Sequence, residues 1–274
     1  MDVFLYIAIF IMGSVFGSFF TLAVYRLPRR ENITYVRSHC TSCNHKLNFF
    51  DLIPIWSYVF LGGKCRYCKE RIRSRYILLE IFSGTVFLLT AISLKITTYS
   101  TLEEFINLAF IYLFMCVIFI IGGIDKEKYE IHDGTILYGV FVSLAYGLFN
   151  AFRGISMKYA LGGFLSYSLI FLVIDVTLKK TMTKEELPIG FGDIEYLAVI
   201  GLFLGFGMQT LSLILAIVIS VIEIIIQRIR KKRSEIDIKK GIPFGYYLSI
   251  STAIIIIFAP ALSNIADLIN ITVI

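Results

Sequence analysis

Apolar and polar residues alternate along the chain in long blocks. Apolar runs near or above the ~20 residues that cross a bilayer begin at the first residues and recur after residue 75. With the positions of Gly and Pro, these runs predict eight helices, at 3–25, 76–95, 105–124, 134–152, 157–178, 193–207, 209–227 and 243–269. The predicted fold is an all-α polytopic membrane protein with about eight transmembrane helices. Because the sixth helix is short and interrupted by glycines, six or seven spans are the alternatives.

The composition agrees with a protein whose main solvent is lipid. Hydrophobic residues make up 57% of the chain and charged residues 17%, against about 25% charged residues in a soluble domain. The first helix carries Asp2 instead of a basic segment and lacks a small-residue cleavage motif. We therefore expect a retained span and not a removable signal peptide.

Basic residues collect on one side of this predicted layout. The net charge is +6, and all Lys and Arg except Lys95, Arg153 and Lys158 fall in four segments that eight spans place on the same side. Lys and Arg are enriched in cytoplasmic loops, so this side is predicted to be the cytoplasm and both termini are predicted to lie outside. Topology and lipid headgroups account for the charge, and we expect no nucleic-acid partner.

The chain is predicted to divide into a first transmembrane helix (1–25), a cytoplasmic loop (26–75) and a transmembrane domain (76–274). Four of the five cysteines lie in the loop as two C-x-x-C pairs, which are Cys40, Cys43, Cys65 and Cys68. Two such pairs suit a tetrahedral Zn²⁺ ion, and disulfides rarely persist in the cytoplasm. The loop is therefore predicted to bind structural zinc, with a redox dithiol pair as the alternative.

Two aspartates lie at predicted membrane boundaries. Asp125 ends the third predicted helix and Asp193 opens the sixth. Two close carboxylates that share a proton can act as general base and general acid on a peptide bond. Gly190 and Gly192 would let a substrate backbone approach, because glycine has no side chain. The sequence therefore predicts an aspartyl-protease dyad.

Structural roles are the alternatives for the same acids. Asp193 could serve only as a helix cap, and Asp125 only as an interfacial charge beside Lys126 and Lys128. Asp133 is predicted to be the N-cap of the helix that follows it. The catalytic hypothesis requires instead that the Asp125 and Asp193 carboxylates face each other.

Several motifs over residues 13–250 occur in a characteristic order. They are Gly17-Ser18-Phe19, Tyr25-Arg26-Leu27-Pro28, the four-cysteine loop with Asp51-Leu52-Ile53-Pro54, Asp125 with Asp133, the GxGD sequence Gly190-Phe191-Gly192-Asp193, and Ile242-Pro243-Phe244-Gly245. Together they resemble the type IV prepilin peptidase family of bifunctional leader peptidases and N-methyltransferases.

This resemblance implies that Asp125 and Asp193 are the catalytic pair. It implies cleavage of a short basic leader from prepilin or pseudopilin substrates at the cytoplasmic face of a bacterial inner membrane. It also implies N-methylation of the new amino terminus from S-adenosylmethionine, and a zinc region at the four cysteines. Glu80, which follows the loop, is a hypothetical methyltransferase residue.

Two positions depart from the family pattern. His132 stands where the family usually has Pro, and Glu195 stands where it usually has Lys. Neither departure removes a member of the dyad. A presenilin-like protease shares the GxGD motif but lacks the four-cysteine loop, and an ion or proton transporter that used the paired aspartates would be expected to show inverted repeats.

Overall fold

The computed structural model describes residues 1–33, 35, 37–181, 190–230 and 242–268. Within these residues the regular structure is helical, apart from two isolated β-bridges. The α-helices are α1 (Asp2–Arg26), α2 (Trp56–Phe60), α3 (Arg75–Ser93), α4 (Leu102–Lys128), α5 (Asp133–Phe152), α6 (Lys158–Thr181), α7 (Phe191–Arg230) and α8 (Phe244–Leu268). The basic positions Lys184 and 231–240 lie outside the described residues.

The prediction of an all-α protein with several apolar spans is confirmed, whereas the number eight is not. Among the described residues, six helices are long and apolar enough to cross a membrane: α1, α3, α4, α5, α7 and α8. The predicted fifth span corresponds to α6, which is not among the six. The predicted sixth and seventh spans both fall in α7, which breaks at Gly205 with φ 75° and ψ 171°.

The N-terminal unit, Met1–Leu108, is built on the packing of α1 against α3. Glycine permits this close approach, because a Cβ on Gly17 would lie 2.9 Å from the Leu79 carbonyl oxygen, and one on Gly84 would lie 2.8 Å from that of Phe10. Small residues at such contacts are typical of helix pairs in membranes. At the other end of the pair, Asp2 Oδ1 accepts hydrogen bonds from the Thr98 backbone N–H and hydroxyl.

The segment between α1 and α3 contains two turns with the same hydrogen-bonding scheme. In the first, the Cys40 N–H donates to the His45 carbonyl and the Asn44 N–H donates to the Cys40 carbonyl. In the second, Cys65 bonds to Glu70 and Lys69 bonds to Cys65 at the same spacing. Asn44 and Lys69 both have positive φ, at 56° and 61°. Each C-x-x-C pair thus forms a knuckle closed by its own backbone.

The C-terminal unit, Ala109–Ile274, is organised around α7. Helices α5, α6 and α8 all contact α7, and α6 meets it backbone to backbone where Gly163 faces Gly201. Below the Gly205 break, the Gln209 side chain reaches back and donates to the Leu197 carbonyl at 2.8 Å. The first turns of α7 and α8 and the last turn of α4 lie at one end of this unit, which holds both candidate aspartates.

Candidate active site

Asp125 lies in the last turn of α4 and its side chain is buried, with 5% of its surface exposed. Its carboxylate accepts hydrogen bonds from the first backbone N–H groups of α8. The Tyr246 N–H donates to Oδ2 at 2.9 Å, and the Gly245 N–H donates as well. These donors have no partner inside their own helix, so the Asp125 carboxylate satisfies the start of α8.

Glycine is required at two points for α8 to approach α4. A Cβ on Gly245 would lie 3.1 Å from Asp125 Oδ2, and a Cβ on Gly122, one turn before Asp125, would lie 2.7 Å from the Ser249 side chain. The contacts of Gly122 and Gly245 therefore place the backbone of α8 directly over the Asp125 carboxylate.

Asp193 is in the first turn of α7, where its N–H donates to the Gly190 carbonyl at 3.1 Å. The Asp193 carboxyl is partly buried and lies near enough to Asp125 for the two charges to interact. Ile131, in the turn after α4, contacts both glycine sites, because a Cβ on Gly192 would lie 3.0 Å from its Cβ and one on Gly245 would lie 3.3 Å from its Cδ1. One residue thus touches both the α7 and the α8 helix starts beside the aspartates.

A buried hydroxyl chain lies behind Asp125. The Tyr196 hydroxyl, on a fully buried ring, is 2.8 Å from Ser249 Oγ, which donates to the Gly245 carbonyl at 2.8 Å. Gly245 in turn donates its N–H to Asp125. This chain links α7 to the residue that binds the carboxylate. On the exposed side, Lys126 bonds the Tyr246 hydroxyl at 2.8 Å and lies over that ring.

The four loop cysteines form one cluster in the N-terminal unit. Their sulfur atoms all lie within 4.8 Å of one another, and Cys40 Sγ is 3.8 Å from Cys68 Sγ. Zn–S bonds of about 2.3 Å in a tetrahedron place adjacent sulfurs about 3.8 Å apart. The geometry therefore fits a four-coordinate metal ion held by Cys40, Cys43, Cys65 and Cys68.

The electrostatics of this cluster also favour a cation. The backbone N–H groups of Cys43 and Ser42 donate to the Cys40 sulfur and lower its pKa to about 6. A backbone bond from Glu70 lowers the pKa of Cys68, but burial and the neighbouring thiols raise it to about 12. Four sulfurs this close cannot all ionise unless a positive ion lies among them.

A family model described as Type IV leader peptidase family matches residues 112–225, and one described as Bacterial Peptidase A24 N-terminal domain matches residues 11–94. The chain belongs to the type IV leader peptidase family. Residues 112–225 contain both Asp125 and Asp193, and residues 11–94 contain the cysteine cluster.

Curated relatives from this family match over most of their length. The prepilin leader peptidase/N-methyltransferase of Pseudomonas putida is 25% identical over 266 residues, covering 88% of this chain and 86% of the relative. The protein of the same name from Aeromonas hydrophila is 27% identical, covering 93% and 91%. That from Burkholderia pseudomallei strain K96243 is 26% identical, covering 90% and 84%. No solved structure matches the chain.

The predicted N-cap at Asp133 is wrong. His132 is the N-cap of α5, because its backbone is extended and its Nδ1 accepts the Gly134 N–H at 3.1 Å, so Asp133 is the first helical residue. Histidine is not among the common capping residues, which is why the sequence favoured Asp133. The exposed Asp133 carboxylate is near enough to Glu195 for the two acids to repel each other.

The surroundings of the other predicted site residues can be described. Gly192 faces Ile131, and Gly190 is exposed beside Asp193. Glu80, on α3, is buried, and one of its oxygens accepts the Ile55 N–H at 2.7 Å. Its carboxylate therefore supports the loop backbone of the N-terminal unit.

Sequence reasoning missed four residues of the site: Ile131, Tyr196, Ser249 and Tyr246. None carries a carboxylate, thiol or imidazole, so residue chemistry did not single them out. The Ile242–Gly245 motif contributes to the family resemblance, but its side chains suggest no catalytic role. A Pro at the start of an apolar run is a helix-start signal, and Pro243 marks the place where the α8 N–H groups become available to a carboxylate.

Proposed function

We propose that this chain is a membrane aspartyl endopeptidase that removes the basic leader of type IV prepilins or pseudopilin-like proteins and then methylates the new amino terminus. One observation carries the proposal. Asp125 and Asp193, from the end of α4 and the start of α7, interact at one site that the start of α8 covers, inside the residues that match the leader peptidase family. The names of the relatives supply both activities and the substrate class.

The dyad would act by general acid–base catalysis. Two interacting carboxylates hold one proton between them. The ionised carboxylate takes a proton from water, the resulting oxygen nucleophile attacks the scissile carbonyl, and the protonated carboxyl donates its proton to the carbonyl oxygen. When the tetrahedral intermediate collapses, a proton passes to the leaving amine. The two N–H donors from α8 would keep the Asp125 carboxylate oriented through these steps.

The depth of the dyad suits a substrate that begins in water and continues in lipid. Asp125 is in the last turn of a candidate span, and Asp193 is in the first turn of another. A basic leader would lie in the cytoplasm beside the site, and the apolar helix that follows it would lie in the membrane. The proposal keeps the topology predicted from the sequence. The chain would cross a bacterial inner membrane eight times, with both termini outside and the dyad at the cytoplasmic face.

The cysteine cluster would hold one structural Zn²⁺ ion in the cytoplasmic loop 26–75, with 1–25 and 76–274 as the flanking membrane parts.

S-adenosylmethionine, when bound, supplies a methyl group on a positively charged sulfur. The freed N-terminal amine forms the new N–C bond with its lone pair, the electrons of the broken S–C bond stay on sulfur, and the amine proton passes to water. Glu80 is proposed to support this second activity.

The test incubates the full chain in detergent with a prepilin-like substrate and S-adenosylmethionine, and measures both products by mass. We expect a chain shortened at the leader junction and a further product heavier by one methyl group. Asp125→Asn and Asp193→Asn should each abolish shortening, whereas Glu130→Gln, which changes an exposed acid in the turn after α4, should not. Normal cleavage by either aspartate variant would overturn the proposal.

A further inference from the structure

The N-terminal unit contains a cavity of about 710 Å³ beside the second knuckle. Its wall includes three aromatic rings, Phe50, Trp56 and Phe60, which are 69%, 60% and 76% exposed. The Trp56 and Phe60 rings stack with their centroids 5.3 Å apart. Large aromatic side chains left this exposed mark a contact or ligand surface, and the volume lies in the usual range of small-molecule sites, roughly 300–1,000 Å³.

A cationic side chain, Arg66, lies at the polar edge of this aromatic cavity and is held in place by Asp51. Arg66 Nε donates to Asp51 Oδ1 at 2.6 Å, and Asp51 also accepts from the Asn48 N–H and the Tyr67 hydroxyl. The Asp51 side chain is only 3% exposed, while half of the Arg66 side-chain surface remains accessible. Because Asp51 holds Arg66 through one nitrogen, the guanidinium can still bind an acidic group in the cavity.

Glu80 sets the shape of the cavity without lining it. Ile55, just before Trp56, has φ 64° and ψ −54°, a backbone conformation that a β-branched residue rarely adopts. The Trp56 N–H donates to the Pro54 carbonyl at 2.6 Å across this turn, and Glu80 accepts the Ile55 N–H at 2.7 Å. A strained turn persists only where its surroundings hold it, so the buried Glu80 carboxylate fixes the direction in which Trp56 leaves the turn.

We propose, on the basis of the proposed function, that the aromatic cavity is the binding site for S-adenosylmethionine. That molecule combines a flat base, a sulfonium cation and a carboxylate. The aromatic rings can stack on the base and attract the cation, and Arg66 can pair with the carboxylate. The cavity lies within the match to the N-terminal family model, and the dyad lies within the match to the peptidase model. The proposed methylation activity would thus have its own binding site, in the aromatic cavity.

The chain supplies its own reporter for this site, because Trp56 is its single tryptophan. The test titrates the full-length protein in detergent with S-adenosylhomocysteine, which cannot transfer a methyl group, and records tryptophan emission. We expect a saturable change in emission, and S-adenosylmethionine, which would occupy the same cavity, should produce a similar change. Phe50→Ala should weaken binding at least about fivefold, since a base stacked on an aromatic ring typically loses that much or more on truncation.

Phe49→Ala is the matched control. Phe49 is adjacent to Phe50 and similarly exposed, at 76% against 69%, but it is not among the residues that line the cavity, so this variant should bind like the unmodified protein. In Glu80→Ala we expect weaker binding and a shifted Trp56 emission maximum even before ligand is added, because the turn at Ile55 loses its acceptor. Glu80→Gln, which keeps an acceptor oxygen, should restore both.

The possible results distinguish a failure of the cavity assignment from a failure of the proposed function. If the protein methylates its substrate while Trp56 emission is insensitive to ligand and Phe50→Ala methylates normally, the cavity assignment is wrong and the function stands. If Trp56 responds as expected but neither cleavage nor methylation occurs, the site stands and the function fails. A response to phospholipid vesicles but not to S-adenosylhomocysteine would overturn the site in favour of a lipid contact.

Discussion

The cysteine cluster of the N-terminal unit and the aspartate pair of the C-terminal unit are assembled in different ways. Each cysteine knuckle closes on itself, since Cys40 and Cys65 each bond to the residue five positions later. The aspartates come from helices far apart in sequence, and they depend on a third helix, α8, for the donors to Asp125. Metal ligands can therefore be arranged by local turns, whereas the candidate acid–base pair needs the packing of the whole helical unit.

The largest expected effect concerns the aspartate pair. Asp125→Asn and Asp193→Asn should each lower kcat for leader cleavage by at least about 100-fold, the usual minimum for loss of a general acid or base. The double variant should be no slower than the slower single variant, because the two groups act as a unit. Steady-state cleavage kinetics measure this. Additive losses in the double variant would show that the two carboxylates act independently.

The second effect concerns the cysteine cluster. Cys43→Ser should reduce bound zinc from about one ion per chain to near zero, since four thiolates bind zinc far more tightly than three and a hydroxyl. Elemental analysis of the purified protein measures this. In Cys43→Ser we expect a larger loss of methylation activity than of cleavage activity.

Cys116→Ala is the control for this change, because Cys116 is buried in α4 and is not in the cluster. It should keep its full zinc content. Zinc retained by Cys43→Ser would contradict the tetrathiolate site.

The third effect tests the α7 break that separates the two predicted helices. Gly205→Ala should destabilise the protein by ~1–3 kcal/mol, because its φ and ψ belong to a region open mainly to glycine. Thermal unfolding in detergent measures the change. Gly207→Ala is the matched control, since its Cβ would enter open space. Equal melting temperatures for the two variants would argue against a break at Gly205.

The smallest effect concerns the hydroxyl chain behind Asp125. Ser249→Ala should lower kcat about fivefold with little change in KM, since one hydrogen bond of ~1 kcal/mol that orients Gly245 is lost. Ser251→Ala changes a buried hydroxyl on the same helix that bonds to Ser212 instead, and it should leave kcat unchanged. If Ser251→Ala lowered kcat more than Ser249→Ala, the Ser249 hydroxyl would not be the group that supports Asp125 through Gly245.

Much of the architecture could be predicted because it is local. All eight predicted helix positions fall on helices of the structure within a few residues. The sixth and seventh share α7, and the break predicted after residue 207 lies at Gly205. The number of spans could not be settled by hydropathy, since glycine in α7 permits a break without ending the apolar run. The prediction of Asp133 as the cap of α5 is wrong because the His132 ring accepts the Gly134 N–H, a role that Asp, Asn or Ser fills more often.

The sequence by itself determined the apolar helices, the two C-x-x-C knuckles and the candidacy of Asp125 and Asp193. Hydropathy, turn formation and side-chain chemistry each depend on nearby residues, so they can be recognised along the chain. Only the tertiary structure decided that the start of α8 binds Asp125, that Ile131 touches both helix starts, and that Phe50, Trp56 and Phe60 enclose a cavity beside Arg66. The contacts of α8 and Ile131 join residues distant in sequence, and the turn before Trp56 depends on the Glu80 carboxylate of α3. Their energy comes from packing and hydrogen bonds that exist only after the chain has folded.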